Sequence, residues 1–380
     1  MVVFVAGMGA RPLFRLGLLA AVVGAVFVST AAAADEPAVR DGIAWCDIRG
    51  FGVEGQGFAD TKAPYDRLPA RAEGTVRDAV WSLSRHSAGL CVRFVTASPA
   101  IHAHWKLTSS RLEMPHMPST GVSGLDLYGR DGHGKWRWIA CASPTGEETS
   151  KALAQGLPAA EREYLLYLPL YNGVSVVEVG VPAGETVKSA PPRPEERVKP
   201  IVYYGTSITH GACASRPGMV HTAILQRRYD RPCVNLGFSG NGRMEPEVVS
   251  LIAEIDAAVY VIDCCPNLGP DEVAARTGPL VVLLRKTRPE TPIVLVEDRV
   301  YGDSWIHAGK AARNRGNHAA LRAEFEKLVA AGDRNLYYIP GDGLLGDDDE
   351  GTVDSSHPTD LGFLRQADAF DKVLAPLAAR

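Results

Sequence analysis

The hydrophobic positions follow two different rhythms. From about Asp41 to Val181 the chain shows short β-rich runs cut by Gly and Pro, among them Leu90–Thr96, Trp136–Cys141 and Val174–Val179. Such runs, recurring every 8–15 residues or so with turn signals between them, predict an all-β sandwich. After Pro200 the rhythm lengthens. Apolar runs at Ile201–Tyr204, Cys233–Leu236, Ala258–Asp263, Ile293–Val296 and Asn335–Ile339 read as strands. Helical stretches separate and follow them: Val220–Arg228, Pro246–Ile255, Asp271–Arg288, a segment near Ala311–Ala331, and a closing helix over Asp360–Leu377. Strands alternating with helices predict an α/β domain with a doubly wound parallel sheet, helices on both faces. In such a sheet ligands bind beyond the carboxyl ends of the strands, so the loops after Tyr204, Leu236 and Asp263 are where chemistry is expected.

The domain plan follows from these rhythms. Residues 35–189 form the sandwich, the proline-rich, charged segment Ala190–Lys199 is a linker or stiff lead-in, and residues 200–380 form the α/β domain. The first 34 residues read differently. Arg11 and Arg15 precede an apolar stretch from Leu16 to Val28 and small residues ending in Ala32-Ala33-Ala34, the pattern of a cleaved export signal. That stretch is shorter than the roughly 20 residues of a membrane span. The expected mature protein starts near Asp35, is periplasmic or extracellular, and has no membrane-spanning segment.

Composition narrows the function classes. Hydrophobic residues at 46% and charged ones at 22% exclude a mainly disordered chain. The 38 glycines follow no triplet repeat, which excludes collagen. The net charge is −4 and no run of Lys or Arg stands out, which argues against a nucleic-acid partner. Removing Arg11 and Arg15 from the 40 basic residues leaves 38 against 44 acidic ones, a mature charge of −6. The seven cysteines contain no C-x-x-C spacing and no His near a Cys pair, so no zinc site is expected. Export permits disulfides, with Cys213 and Cys233 a candidate pair, while burial as small hydrophobes is the default.

Four blocks carry candidate chemistry. Gly205-Thr206-Ser207-Ile208-Thr209-His210-Gly211 places a serine hydroxyl at the end of the first α/β strand. The following helix would aim its N–H groups at negative charge nearby. Phe238-Ser239-Gly240-Asn241-Gly242 is a glycine-rich loop after the second strand, where backbone could approach a ligand. Asp263-Cys264-Cys265-Pro266-Asn267 puts an amide donor just past the third strand. In Asp354-Ser355-Ser356-His357-Pro358, Asp354 can fold back to accept the Nδ1 proton of His357, leaving Nε2 as a base. Each block alone has an ordinary alternative, as a turn, a cap or a surface pair. Their joint occurrence at loops beyond strands is the informative feature.

In that order the blocks resemble the SGNH hydrolases, the GDSL-type esterase family, with Thr206 standing where the family usually has Asp. The stretch Gly121-Val122-Ser123-Gly124-Leu125-Asp126-Leu127-Tyr128 resembles the GxDLY segment that precedes one subgroup of that family. The resemblance spans roughly residues 45–375 and implies a flavodoxin-like strand order in the α/β domain. It implies Ser207 as nucleophile, His357 as general base and Asp354 as its orienting acid. It also implies an oxyanion hole built from the N–H groups of Ser207 and Gly240 and the side-chain amide of Asn267. A side chain at Gly240 is expected to crowd the acyl oxygen. No metal or organic cofactor is implied. The expected reaction is hydrolysis of a short acyl ester, an O-acetyl group on a carbohydrate being favoured. The alternatives are a lipase, lysophospholipase or thioesterase on the same machinery, or an inactive carbohydrate-binding protein.

Further residues are weighed around this site. His210 is read as cleft-lining or structural. Arg243 with Glu245 is read as a substrate contact or a helix-start ion pair. Glu297-Asp298-Arg299 follows the fourth strand and is expected to open on the same rim, with Trp305 a candidate sugar platform. The acidic run Asp347–Glu350 reads as a solvated loop, with calcium the alternative. Met114-Pro115-His116-Met117 is expected as a turn packed on the sandwich, the alternative being that it reaches the active site.

Overall fold

Strands in the first half are short and antiparallel, as their turn spacing demands. The computed structural model describes residues 37–379; the export signal expected over residues 1–34 lies outside the described residues. The strands are β1 (Ala38–Arg40), β2 (Ile43–Asp47), β3 (Val53–Glu54), β4 (Cys91–Thr96), β5 (Ala100–Leu107), β6 (Leu125–Arg130), β7 (Trp136–Ala142), β8 (Glu148–Gln155), β9 (Arg162–Tyr167), β10 (Val174–Pro182) and β11 (Val187–Ser189). They form two sheets, ordered β1-β2-β10-β5-β8 and β11-β4-β9-β6-β7, with β3 paired to β4. Alternate residues of both sheets, among them Phe94, Trp105, Leu127, Leu166 and Val177, point inward and make one apolar layer.

The second half is a parallel sheet of β12 (Ile201–Gly205), β13 (Cys233–Gly237), β14 (Val259–Asp263), β15 (Ile293–Val296) and β16 (Leu336–Ile339), in the order β13-β12-β14-β15-β16. This is the flavodoxin-like order. All these strands but β16 are buried at every position, because helices cover both faces. The pleat divides their side chains between two cores. Val202, Tyr204, Leu236 and Ile262 face one, whereas Ile201, Tyr203, Val259 and Val261 face the other. In chain order the helices are α1 (Asp78–Ser84), α2 (Ser119–Val122), α3 (Ser207–His210), α4 (His221–Tyr229), α5 (Pro246–Ile252), α6 (Pro270–Thr287), α7 (Ala308–Ala330) and α8 (Asp360–Ala378). Residues of α5, α6 and α7 pack on the first face and residues of α4 and α8 on the second.

The two halves interpenetrate. Phe58, Leu68, Ala72, Val76 and Val80 precede most of the sandwich strands in sequence, yet they lie in the core of the α/β sheet. Arg67 is fully buried and donates to the carbonyls of Asn235 and Gly237, both at 2.9 Å, at the carboxyl end of β13. Residues 190–199 are also tied down. The Arg193 side chain is buried, with Nη1 2.5 Å from Glu54 Oε1 and Nε donating to Asp230 O at 3.0 Å. The described residues belong to a single compact unit, Asp35–Arg380.

The Gly124–Tyr128 segment supplies a second clamp. Asp126 lies on β6 with no exposed surface, and its Oδ2 accepts from Arg216 Nη1 and from Gly218 N, both at 2.8 Å. Trp138 Nε1 donates to its other oxygen at 3.0 Å. Burial pushes the Asp126 carboxyl up, and Arg216 only partly offsets this. The motif thus grips the loop before α4, joining sandwich to α/β sheet. All seven cysteines are free, so the candidate pair Cys213 and Cys233 is not bonded. Asp348 of the acidic run is held by Arg365 in a two-pronged pair at 2.6 and 2.7 Å. Among the described residues no helix is long and apolar enough to cross a membrane.

Candidate active site

Strand β12 ends at Gly205 and the chain turns directly into α3. Thr206 has extended backbone and its Oγ1 accepts from Ile208 N at 3.3 Å, so threonine provides the cap that an aspartate could also provide. Ser207 is therefore the first residue of a four-residue helix, too short to persist alone. Tertiary bonds hold it. Thr209 Oγ1 donates to Asp263 Oδ2 at 3.1 Å, and Asn235 Nδ2 donates to Thr209 O at 2.6 Å. Asp263, at the end of β14, is itself clasped by both Nη atoms of Arg299 at 2.6 Å, with both groups buried.

The second element is the turn before α8. Asp354 Oδ1 accepts from the backbone N–H of Ser356 at 3.1 Å and of His357 at 2.8 Å. Ser355 closes the turn at φ +73°, a left-handed conformation that non-glycine residues seldom hold without support. The support is visible. Gly302 N donates to Ser355 O at 3.0 Å, and Lys310 Nζ donates to Ser355 Oγ at 2.8 Å.

Together these loops bring three groups into line. His357 Nε2 lies 2.8 Å from Ser207 Oγ, and its Nδ1 lies 2.7 Å from Asp354 Oδ2. A carboxylate at Nδ1 assigns the proton to that nitrogen and leaves the Nε2 lone pair toward the hydroxyl. Burial raises the Asp354 carboxyl, but the hydrogen bonds from the His357 backbone and ring outweigh it, and the net shift is downward. Asp354 therefore stays ionised.

The loops that carry the oxyanion donors expected from sequence lie against one another. The N–H groups of Ser207 and Gly240 donate to no other group among the described residues. Loop 238–242 is folded over β12, with Phe238 N donating to Gly205 O at 3.0 Å. A Cβ at Gly242 would sit 1.9 Å from Gly205 O, so this approach requires glycine. At Gly240 a Cβ would meet no protein atom, and the φ of +69° is a further reason that favours glycine there. Asn267 docks on the same loop. Its amide satisfies its neighbours when Oδ1 accepts from the N–H groups of Asn241 (3.1 Å) and Gly242 (3.2 Å), which turns Nδ2 away from them.

A cleft of about 660 Å³ opens at His357. The α/β half contributes Ala212, Ser239 and Asn241 to it, and the first half contributes Ser82, His86, Arg111, Met114, His116 and Tyr171. The loop around His116, expected as a turn on the sandwich, instead stands over the site, its ring centroid 6.4 Å from that of His357. Tyr171 donates its hydroxyl proton to Ser207 O at 3.3 Å. Sequence reasoning held this placement of residues 114–117 only as the alternative, and did not single out Ser82, His86, Arg111 or Tyr171. The one signal for this wall was an isolated histidine among Met and Pro in a loop of a β domain.

The four expected substrate contacts do not line this cleft. His210 is buried, its Nε2 2.8 Å from Leu170 O and its ring stacked on Tyr171 at 4.2 Å. Burial holds its pKa well below the ordinary value, so it is a neutral structural ring behind Ser207. Arg243 is engaged by Gly240 O through Nε at 3.1 Å and braces the loop. Glu297 is buried, accepting from Gly341 N at 2.6 Å and from the Tyr338 hydroxyl, beneath the rim rather than on it. Asp298 and Arg299 are buried with it. Trp305 is 77% exposed on the turn before α7 and is not among the residues that line the cleft.

Comparisons with known proteins agree with this geometry. A model of the GDSL-like lipase/acylhydrolase family matches residues 198–375, and a model of the N-terminus of SGNH-hydrolase-type esterases, the GxDLY domain, matches residues 43–187. A crystal structure assigned as a GDSL-like lipase from Bacteroides ovatus is 34% identical, with a TM-score of 0.83 over 88% of this chain and 98% of its own. A salicylyl-acyltransferase from a tetracycline biosynthetic pathway is 20% identical, with a TM-score of 0.65 over 90% and 93%. An acetyl xylan esterase from the rumen bacterium Butyrivibrio proteoclasticus shares the fold at 10% identity, with a TM-score of 0.54 over 87% and 98%. No curated protein matches the chain.

Proposed function

This chain belongs to the GDSL-like lipase/acylhydrolase family and is an ester hydrolase, and from that premise we propose that it removes short acyl groups, O-acetyl above all, from carbohydrates. The observation that carries this reading is the 2.8 Å approach of Ser207 Oγ to His357 Nε2 across 150 residues of chain, with Asp354 behind the ring. In the proposed reaction Ser207 Oγ attacks the ester carbonyl and its proton passes to His357 Nε2. The new negative charge on the carbonyl oxygen is met by the N–H groups of Ser207 and Gly240 and by Asn267 Nδ2. Asp354, ionised by its hydrogen bonds, steadies the imidazolium. Collapse breaks the C–O bond and the leaving alcohol takes the His357 proton. A water then attacks the acyl-enzyme by the same route and frees the acid.

The cleft supports a small, polar substrate. Its volume suits a ligand of one or two sugar units. Ser82, Ser109, Asn241 and His116 supply hydrogen-bonding groups around it, while Met114, Val122 and Ala212 offer only a small apolar floor for an acyl chain. Carbohydrate esterases share the fold, which is an analogy at the level of architecture. The proposal extends to export, on the pattern of Arg11, Arg15 and the apolar stretch before Ala32-Ala33-Ala34.

The test is a panel of acetylated polysaccharides and p-nitrophenyl esters of graded chain length. Acetate release that falls steeply as the acyl chain grows, and that a serine-reactive fluorophosphonate abolishes, is the expected result. Preference for long chains would replace this reading with a lipase. Turnover that survives the fluorophosphonate would remove Ser207 from it. N-terminal sequencing of the exported protein should begin at or near Asp35.

A further inference from the structure

The cleft has a charge pattern that hydrolysis of a neutral ester does not require. Among its described lining residues there is no Asp or Glu, and a single fixed charge, Arg111, on the first-half loop that also carries His116. The backbone of Arg111 is anchored, since its N–H donates to Ser109 Oγ at 3.2 Å and Asn172 Nδ2 reaches its carbonyl at 3.4 Å. Its guanidinium has no hydrogen bond and no ion pair among the described residues. Other arginines near the site are taken up: Arg67 by four backbone carbonyls, Arg299 by Asp263, and Arg243 by Gly240 O. Arg111 also borders an outer hollow that carries Glu113, the nearest acid on the same loop, but no hydrogen bond or ion pair joins the two among the described residues. Asp354 is held by His357.

A guanidinium that is fixed at its backbone, free at its head and set in a cleft with no carboxylate is a receptor for an oxyanion. On the reading of Ser207 and His357 as an esterase site, we infer that the preferred substrate is an anionic carbohydrate ester, with a carboxylate or sulfate on the sugar unit bearing the acyl group, and that Arg111 is the residue that selects it. The scissile carbonyl lies at Ser207, His116 covers the ring from above, and the anion meets Arg111 on the first-half wall. The chemistry of hydrolysis is unchanged; the cation adds discrimination between charged and uncharged esters.

Three matched substrates test this: O-acetylated glucuronic acid, its neutral uronamide, and an O-acetylated glucose sulfate. Acetate release gives kcat/KM for each. One charge-assisted pair at a solvent-exposed arginine is expected to favour the anionic esters about three- to fivefold over the amide. The carboxylate and sulfate arms show which oxyanion the guanidinium prefers. Arg111→Gln should bring the ratio close to one, Arg111→Lys should restore most of it, and Arg111→Glu should invert it. Arg137→Gln, a change on the β6–β7 hairpin, serves as the control and should leave the ratio as it was. A ratio near one in the unaltered enzyme, or a ratio that Arg111→Gln does not move, overturns the inference. Hydrolysis of p-nitrophenyl acetate, and its loss in Ser207→Ala, reports separately on the esterase reading. If that fails, calorimetry of the uronate and its amide against the same protein still decides whether the cleft selects an anion.

Discussion

In the α/β half the groups assigned to bond breaking stand where parallel strands end: Ser207 after β12, Gly240 after β13, Asn267 after β14, with Asp354 and His357 in the turn before α8. In the antiparallel half no strand end supplies such a group. What it brings to the cleft, His86, Arg111, His116 and Tyr171 among it, comes from the connections between its strands. Parallel strands share a direction, so their carboxyl ends converge on one rim and the loops there meet. Antiparallel strands send successive ends to opposite edges, and such a domain reaches a distant site only through loops. The two halves therefore divide the work: one holds the reacting atoms, and the other walls the cleft and clamps the first in place.

The sharpest way to break this division is to remove the reacting group. Ser207→Ala is expected to lower kcat by at least about 10⁴-fold with no change in melting temperature. His357→Ala should do comparable damage and Asp354→Ala less, since Asp354 only orients and charges the ring. Turnover surviving in Ser207→Ala would move the chemistry elsewhere.

Next in size is the clamp. Asp126→Ala leaves Arg216 without its buried partner and should cost about 3–5 kcal/mol of stability, read from denaturant midpoints. Activity measured well below the new midpoint should persist, because Asp126 touches none of the reacting groups. An unchanged midpoint would mean that the sandwich is not held through this pair. A smaller effect is expected for Asn267→Ala, about 10²–10³-fold in kcat with KM little altered. An unaltered kcat would leave the oxyanion hole to the two backbone N–H groups alone.

The smallest effect concerns buried histidines. Burial lowers the pKa of His86 to about 4 and those of His210 and His221 well below the ordinary 6.5. Their unfolded forms take up protons as pH drops below about 6.5 while the folded forms do not. The stability they allow is therefore complete above that pH and falls progressively as pH drops toward the folded values. His221 stacks against Phe363 and Phe370, and neither ring nitrogen has a partner. His221→Phe should add about 1 kcal/mol at neutral pH and flatten the acid side of the stability curve. A steeper acid loss in that variant would contradict the assignment.

Much of the fold was legible because it rests on short-range rules. The strand over Ile293–Val296 has the boundaries its apolar run predicts, and the closing helix begins at Asp360 as expected, behind the Thr359 cap. Asp354 and His357 were legible as a pair because three residues and one turn suffice to join them. The errors fall where direction matters more than position. His210 sits at the right loop, but its ring turns inward to Leu170 O. Glu297 follows the right strand, but Tyr338 and Gly341 N draw it under the sheet. Residues 58–80 carry no strand pattern that assigns them to one half, and only packing places them in the α/β core.

The order of strands and helices and the local Asp354–His357 bond were determined by the sequence alone. Periodicity, backbone sterics and turns act over a few residues. The meeting of Ser207 with His357, the wall built by Arg111 and His116, and the grip of Asp126 on Arg216 were decided by the tertiary structure. Each joins positions about 90 residues apart or more. The free energy of such contacts comes from burial and pairing that exist only once both partners have been brought together, and no local pattern in the chain records them.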